Sequence, residues 1–142
     1  MKLAELEAML ADDLEVDEDS LVAASLSTPT LHSKWMKFST DEIYKLNILN
    51  QRMAKLKKAK WEYYQNKASP KVYETRPFNL ILAKSELPLY IDADDDIQVL
   101  QRQLWQKEAL VNRLGEAVKT IQFRHTNIKN AIEWTKFRHG AT

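Results

Sequence analysis

Between Asp94 and His139 the chain carries an apolar seam that never slips. Its positions are Leu100, Leu104, Lys107, Val111, Leu114, Val118, Ile121, His125, Ile128, Ile132 and Thr135, spaced alternately four and three residues apart. Eight of these eleven are apolar, the 3.5-residue period of a helix packed along its length against other helices. Proline is absent from the stretch, and Gly115 is its only glycine. At about 1.5 Å per residue such a helix is roughly 70 Å long. A compact monomer of 142 residues has a radius of gyration near 15 Å. The seam is therefore buried either in an elongated bundle or against neighbouring copies of the chain, and sharing between copies is favoured. His125 reads as a polar layer that sets register.

Two glycines and four prolines leave few tight turns, which argues for helices and against a sandwich or barrel. With no cysteine there is no disulfide framework and no thiol chemistry. The N-terminus lacks a signal pattern, and no apolar run approaches the ~20 residues that span a bilayer. A soluble intracellular protein is expected. The net charge of +1 conceals a polarised layout. Residues 1–20 hold eight acids against Lys2, whereas residues 51–76 hold eight bases against Glu62 and Glu74. Lys119, Arg124, Lys129, Lys136 and Arg138 form a second basic block.

Residues 1–38 are expected to form short helices. Leu3, Leu6, Met9, Leu10 and Leu14 share a helical face opposite acids. That acidic helix reads as core, as a dock for a basic patch on another copy, or as a nucleic-acid mimic. Thr28-Pro29 reads as a cap followed by proline at the first helical position. Ser39-Thr40-Asp41-Glu42 reads as a capping box opening a long basic helix over 39–68. Its stripe is Ile43, Leu46, Leu49, Met53, Leu56, then Ala59 or Lys60, then Tyr63. Ser69-Pro70 stops it. Residues 69–93 form a structured connector in which Leu80-Ile81-Leu82 and Leu89-Tyr90-Ile91 can pair as a small β-hairpin. Asp92, Asp94, Asp95 and Asp96 suit the positive end of the last helix, 94–139, better than a cation site. One helical domain over 1–142 is expected.

The densest chemistry lies in residues 55–64. Lys57, Lys60, Trp61 and Tyr64 stand three or four apart and share a helical face, with Lys58 at its edge and Lys67 beyond. Ammonium groups neutralise phosphates, and aromatic rings stack on unpaired bases. The other reading is a solvated basic face with Trp61 and Tyr64 packed on a neighbour. His32, His125 and His139 are too scattered for a metal site, and no phosphate loop or nucleophile triad stands out. No cofactor and no enzymatic activity are expected.

Ser33-Lys34-Trp35, then Lys58-Ala59-Lys60-Trp61-Glu62-Tyr63-Tyr64, then the last helix with Phe123 and Ile128 resemble, in order, the UvsY family of phage recombination mediators. The family motif reads Lys-Ala-Arg-Leu-Asp-Tyr-Tyr. Lys58, Ala59, Tyr63 and Tyr64 match it, while Lys60, Trp61 and Glu62 replace arginine, leucine and aspartate. The resemblance implies a small helical protein that assembles into heptameric rings in the cytoplasm of an infected bacterium. It implies binding to single-stranded DNA and loading of a RecA-like recombinase onto DNA coated by a single-strand-binding protein. Lys58 and Lys60 are the phosphate contacts it implies; Lys57, Trp61, Tyr64 and Lys67 complete the candidate single-stranded-DNA face read from the residues themselves. The seam residues Leu100, Leu104, Val111, Leu114, Val118, Ile121, Ile128 and Ile132 would assemble the ring. The alternative is a helical scaffold whose basic face binds an acidic protein.

Overall fold

Residues 94–139, the predicted long helix, form a single helix, α5 (Asp95–Arg138). The computed structural model describes residues 1–140. Ahead of α5 come α1 (Leu3–Leu14), a 3-10 turn (Glu18–Ser20), α2 (Leu21–Tyr64), α3 (Pro70–Thr75) and α4 (Leu87–Asp92). The chain divides into two compact units. One holds Met1–Ile43 and the chain from Ala109 onward, and the other holds Tyr44–Glu108. No strand occurs among the described residues.

The first unit is built on an apolar cluster of Leu6 and Leu10 from α1, Trp35 from α2, and Leu110, Leu114, Ala117, Val118 and Ile121 from α5. Fully burying one such aliphatic side chain stabilises by about 1.5–3 kcal/mol. Trp35 is completely buried, and its indole Nε1 donates to Asp13 Oδ2 at 2.9 Å. Lys34 Nζ reaches the same oxygen at 2.7 Å. The acidic α1 is thus core on one face, and its acids also fasten it: Glu7 pairs with Arg113 of α5.

Much of the seam on α5 is therefore covered within the chain. Leu114, Val118, Ile121 and Ile128 are buried in the first unit and Leu104 in the second, with Leu100, Val111 and Ile132 half-buried. His125 is exposed, hydrogen-bonded to its own helix at the Gln122 carbonyl, and sets no internal register. The cause is α1 and α2, which supply the apolar partners that sequence periodicity alone could not assign.

Helix α2 runs without a break past both expected boundaries, beginning at Leu21 instead of residue 39. Pro29 lies inside it. Proline removes one N–H and disturbs the preceding turn. In the turn just ahead of it, Thr28 Oγ1 and Ser27 Oγ each donate to the Ala24 carbonyl at 3.0 Å. Buried Arg124 of α5 adds Nη1 contacts to that carbonyl (3.2 Å) and to Thr28 Oγ1 (3.0 Å). Ser39–Glu42 is not a cap either. Thr40 bonds back to the Met36 carbonyl, and Glu42 is buried 3.8 Å from the Met1 amino group.

In the second unit, Met53 of α2 packs with Ile97 and Leu104 of α5, backed by Leu46, Leu49 and Leu56. The helix stops at Tyr64, where Asn66 takes a left-handed φ of 60° and the Lys67 amide donates to the Glu62 carbonyl at 2.9 Å. The connector contains no hairpin. Leu89-Tyr90-Ile91 is helical within α4, whose first turn accepts Pro88 and whose Leu87 is buried beside Tyr63 and Tyr64.

Candidate nucleic-acid interface

The last three turns of α2 sort the basic–aromatic segment into two faces. Met53, Leu56, Lys60 and Tyr63 follow one another at helical spacing, so Lys60 continues the apolar stripe instead of facing solvent. Lys60 and Tyr64 are buried, whereas Lys57, Lys58, Trp61 and Lys67 are exposed. The expected shared face of Lys57, Lys60, Trp61 and Tyr64 is thus split, because the stripe that packs on α5 takes Lys60 and the aromatic cluster takes Tyr64.

The buried half is a charge network. Lys60 Nζ lies 2.7 Å from Asp96 Oδ2 and 3.2 Å from Asp94 Oδ2. Arg76 Nη1 reaches Asp96 Oδ2 at 2.6 Å. The Tyr64 hydroxyl donates to Asp94 Oδ2 at 2.5 Å. Asp94 Oδ1 accepts from the amides of Asp96 (2.9 Å) and Ile97 (3.3 Å), which caps α5. One carboxylate thereby starts α5 and ties it to the end of α2. The aspartates at this helix start are explained by capping and ion pairing. Among the described residues there is no cluster of three or more side chains suited to a metal ion.

Protonation states follow from these contacts. Burial pushes the Asp94 carboxyl up, but hydrogen bonds from Tyr64, the Ile97 amide and Lys60 outweigh it and leave it below its ordinary value. Hydrogen bonds from Lys60 and Arg76 hold Asp96 down. Burial, reinforced by the Asp94 carboxylate, raises the Tyr64 phenol well above its ordinary value, so it remains a donor.

Around Tyr63 and Tyr64 the rings of Tyr73, Phe78 and Tyr90 pack at centroid distances of 5.3 to 5.8 Å for the pairs Tyr63–Tyr73, Tyr63–Phe78 and Tyr64–Tyr90. Tyr63 donates to the Arg76 carbonyl at 2.9 Å and Tyr73 to the Tyr63 carbonyl at 2.8 Å. These bonds hold α3 and the following loop against the end of α2.

The exposed half borders a groove of about 720 Å³ lined by Lys57, Lys58, Trp61, Gln65, Lys84, Leu87, Pro88, Ile91 and Asp92. Trp61 is 44% exposed, and Lys67 Nζ stands 5.1 Å from its ring centroid. Among the described residues Lys57, Lys58 and Lys84 have no ion-pair partner. Three uncompensated ammonium groups, one carboxylate and a half-open indole form a surface able to take an anion with an aromatic face attached. Lys84 was not singled out from the sequence. It sits in the connector, far from the basic block in sequence, and only the packing of α4 beside α2 brings it in.

The model of the family described as recombination, repair and single-stranded-DNA-binding protein UvsY matches residues 9–141. No curated protein matches the chain. Crystal structures of the bacteriophage T4 recombination mediator protein UvsY are similar in fold. One matches with TM-score 0.86 and 21% identity over 98% of each chain. A second lattice form gives TM-score 0.84 and 20% identity, over 97% of this chain and 99% of that one. A third gives 0.85 and 21%, over 94% and 98%. With a continuous match across nearly its whole length, the chain belongs to the UvsY family of recombination, repair and single-stranded-DNA-binding proteins.

Proposed function

We propose that this protein is a non-enzymatic recombination mediator that binds single-stranded DNA through the groove beside α2. It would promote loading of a RecA-like recombinase onto strands coated by a single-strand-binding protein, in the cytoplasm of the infected host. The observation that carries this reading is the exposure of Lys57, Lys58 and Trp61 together on one rigid helix end. Lysines neutralise phosphates and the indole stacks on any unpaired base, which suits binding without sequence preference. Family membership supports the class of activity, and the fold shared with the T4 mediator supports the architecture. A homo-oligomer, heptameric as the family resemblance implies, would set many weak sites along one strand at high effective concentration. Lys60 and Tyr64 enter this reading as positioning residues that hold the groove's wall, and Lys57, Lys58, Trp61 and Lys67 as contacts.

The test is a titration of the full chain with single-stranded and duplex DNA across a salt series, followed by tryptophan fluorescence and anisotropy. Single strands should bind more tightly, with log affinity falling linearly in log salt. Lys57→Glu with Lys58→Glu should abolish most of that binding and flatten the slope. Weak binding without strand preference would overturn the reading and leave the helical scaffold with an acidic protein partner.

A further inference from the structure

A second groove, of about 520 Å³, is lined by Lys57, Asp92, Ile97, Gln98, Gln101, Arg102 and Trp105. It shares Lys57 and Asp92 with the groove described above, so the two are neighbours through a common lysine and a common carboxylate. All of these residues belong to the same compact unit, Tyr44–Glu108. Gln98, Arg102 and Trp105 follow at four and three residues on α5 and share a face. Trp105 is 61% exposed, an unusual position for so large an apolar ring. Arg102 is exposed and, among the described residues, has no ion-pair partner.

We infer that the single-stranded-DNA track continues from Trp61 past Lys57 onto α5, where Trp105 is a second stacking platform and Arg102 a second phosphate contact. This rests on the DNA-binding reading above and assigns residues outside the basic segment to it. The chemistry of the second groove repeats that of the first: a cation beside an exposed indole, with Lys57 serving both. Its α5 wall from Gln98 to Trp105 is about 10 Å long at 1.5 Å per residue. At about 3.4 Å per stacked nucleotide that accommodates two or three more bases. Asp92 is the one carboxylate in either groove. It repels phosphates, so the backbone is directed along Lys57, Lys58, Lys84 and Arg102 and the bases toward the two indoles.

The experiment uses the full-length protein and oligo(dT) of increasing length, with light scattering in the same buffer. Trp105→Ala should weaken binding by about 5- to 150-fold, the range for loss of one base–aromatic stack, while Trp105→Phe retains most of it. Arg102→Gln should lower the log–log salt slope by about 0.7 for each subunit engaged. If wild type binds, Lys57→Glu with Lys58→Glu abolishes binding and both α5 variants behave as wild type, the track ends at the first groove and this inference is overturned alone. If wild type itself does not prefer single strands, the underlying reading fails first. An affinity loss in Trp105→Ala that comes with a fall in particle mass also overturns the inference, because Trp105 then lies between copies.

Discussion

At the scale of single residues, Lys60 illustrates how a motif can be read correctly and its parts misassigned. Charge at this position matches the family pattern, and that invites a phosphate contact. Its ammonium instead sits between two carboxylates, 2.7 and 3.2 Å away, with Asp94 fully enclosed. Removing one partner of a buried pair strands the other. Lys60→Ala should cost about 3 kcal/mol, the low end for such changes, because Asp94 keeps the Tyr64 hydroxyl and two amides. Chemical denaturation measures that loss. The salt slope of DNA binding should stay near wild type in the folded variant, whereas Lys58→Ala lowers it. A reduced slope in Lys60→Ala would return Lys60 to the contact surface. The clue to its true place was already in the stripe Met53, Leu56, Lys60, Tyr63, which gives the lysine to the packed face. What sequence lacks is the partner: nothing near residue 60 announces that Asp94 and Asp96, more than thirty positions on, will meet it. The same network predicts a pH response. Both aspartates titrate below their ordinary range when folded, so their stabilisation is complete above the unfolded carboxylate value of about 4. It is lost as pH falls through the folded values. Near-ultraviolet circular dichroism of the tyrosine cluster should therefore be constant from neutral pH to about 5 and collapse below about 4. Asp94→Asn should lack its share of that acid-dependent loss.

Among the elements, α5 was legible almost to the residue, because a long uninterrupted period survives any tertiary context. Helix α2 was not. Thr28-Pro29 and Ser39–Glu42 both carry the local signature of a helix start, yet the helix passes through each. Local capping energies of about 1 kcal/mol are small beside the burial of Trp35 and its neighbours, which fixes the helix through both sites. The proline remains a defect, because it supplies no N–H to the carbonyl four residues before it. Pro29→Ala should restore a hydrogen bond to the Ser25 carbonyl and raise stability by about 1–3 kcal/mol, seen as a higher thermal midpoint. No gain, or a loss, would mean that the distorted turn is itself required by the packing of Arg124. The connector departs from the expected hairpin for a related reason. Leu89-Tyr90-Ile91 has strand composition, but Pro88 just ahead suits a helix's first turn, and Leu87 and Tyr90 face the tyrosine cluster only from a helix.

On the scale of the whole molecule, the proposed assembly needs a surface on which copies of the chain can meet. Truncation from Val111 onward cannot answer it, because Leu114, Ala117, Val118 and Ile121 are core of the first unit and their removal unfolds it. Besides Trp105, α5 leaves three large rings uncovered off the seam: Phe123, Trp134 and Phe137 are each more than half exposed, and Trp134 stacks on Phe137 at 5.6 Å. Large rings held in water near the end of a helix are the natural material of an interface. If assembly runs through them, Trp134→Glu with Phe137→Glu gives a lower mass by light scattering with helix content unchanged, since neither ring contributes to the buried clusters. Binding to long single strands should then fall by more than 10-fold while binding to an oligonucleotide short enough for one subunit is retained, because only the linkage between sites has been removed. An unchanged mass would place the contact on other exposed apolar residues such as Val22 and Leu26 of α2, and equal losses on short and long strands would show that the two rings touch DNA directly.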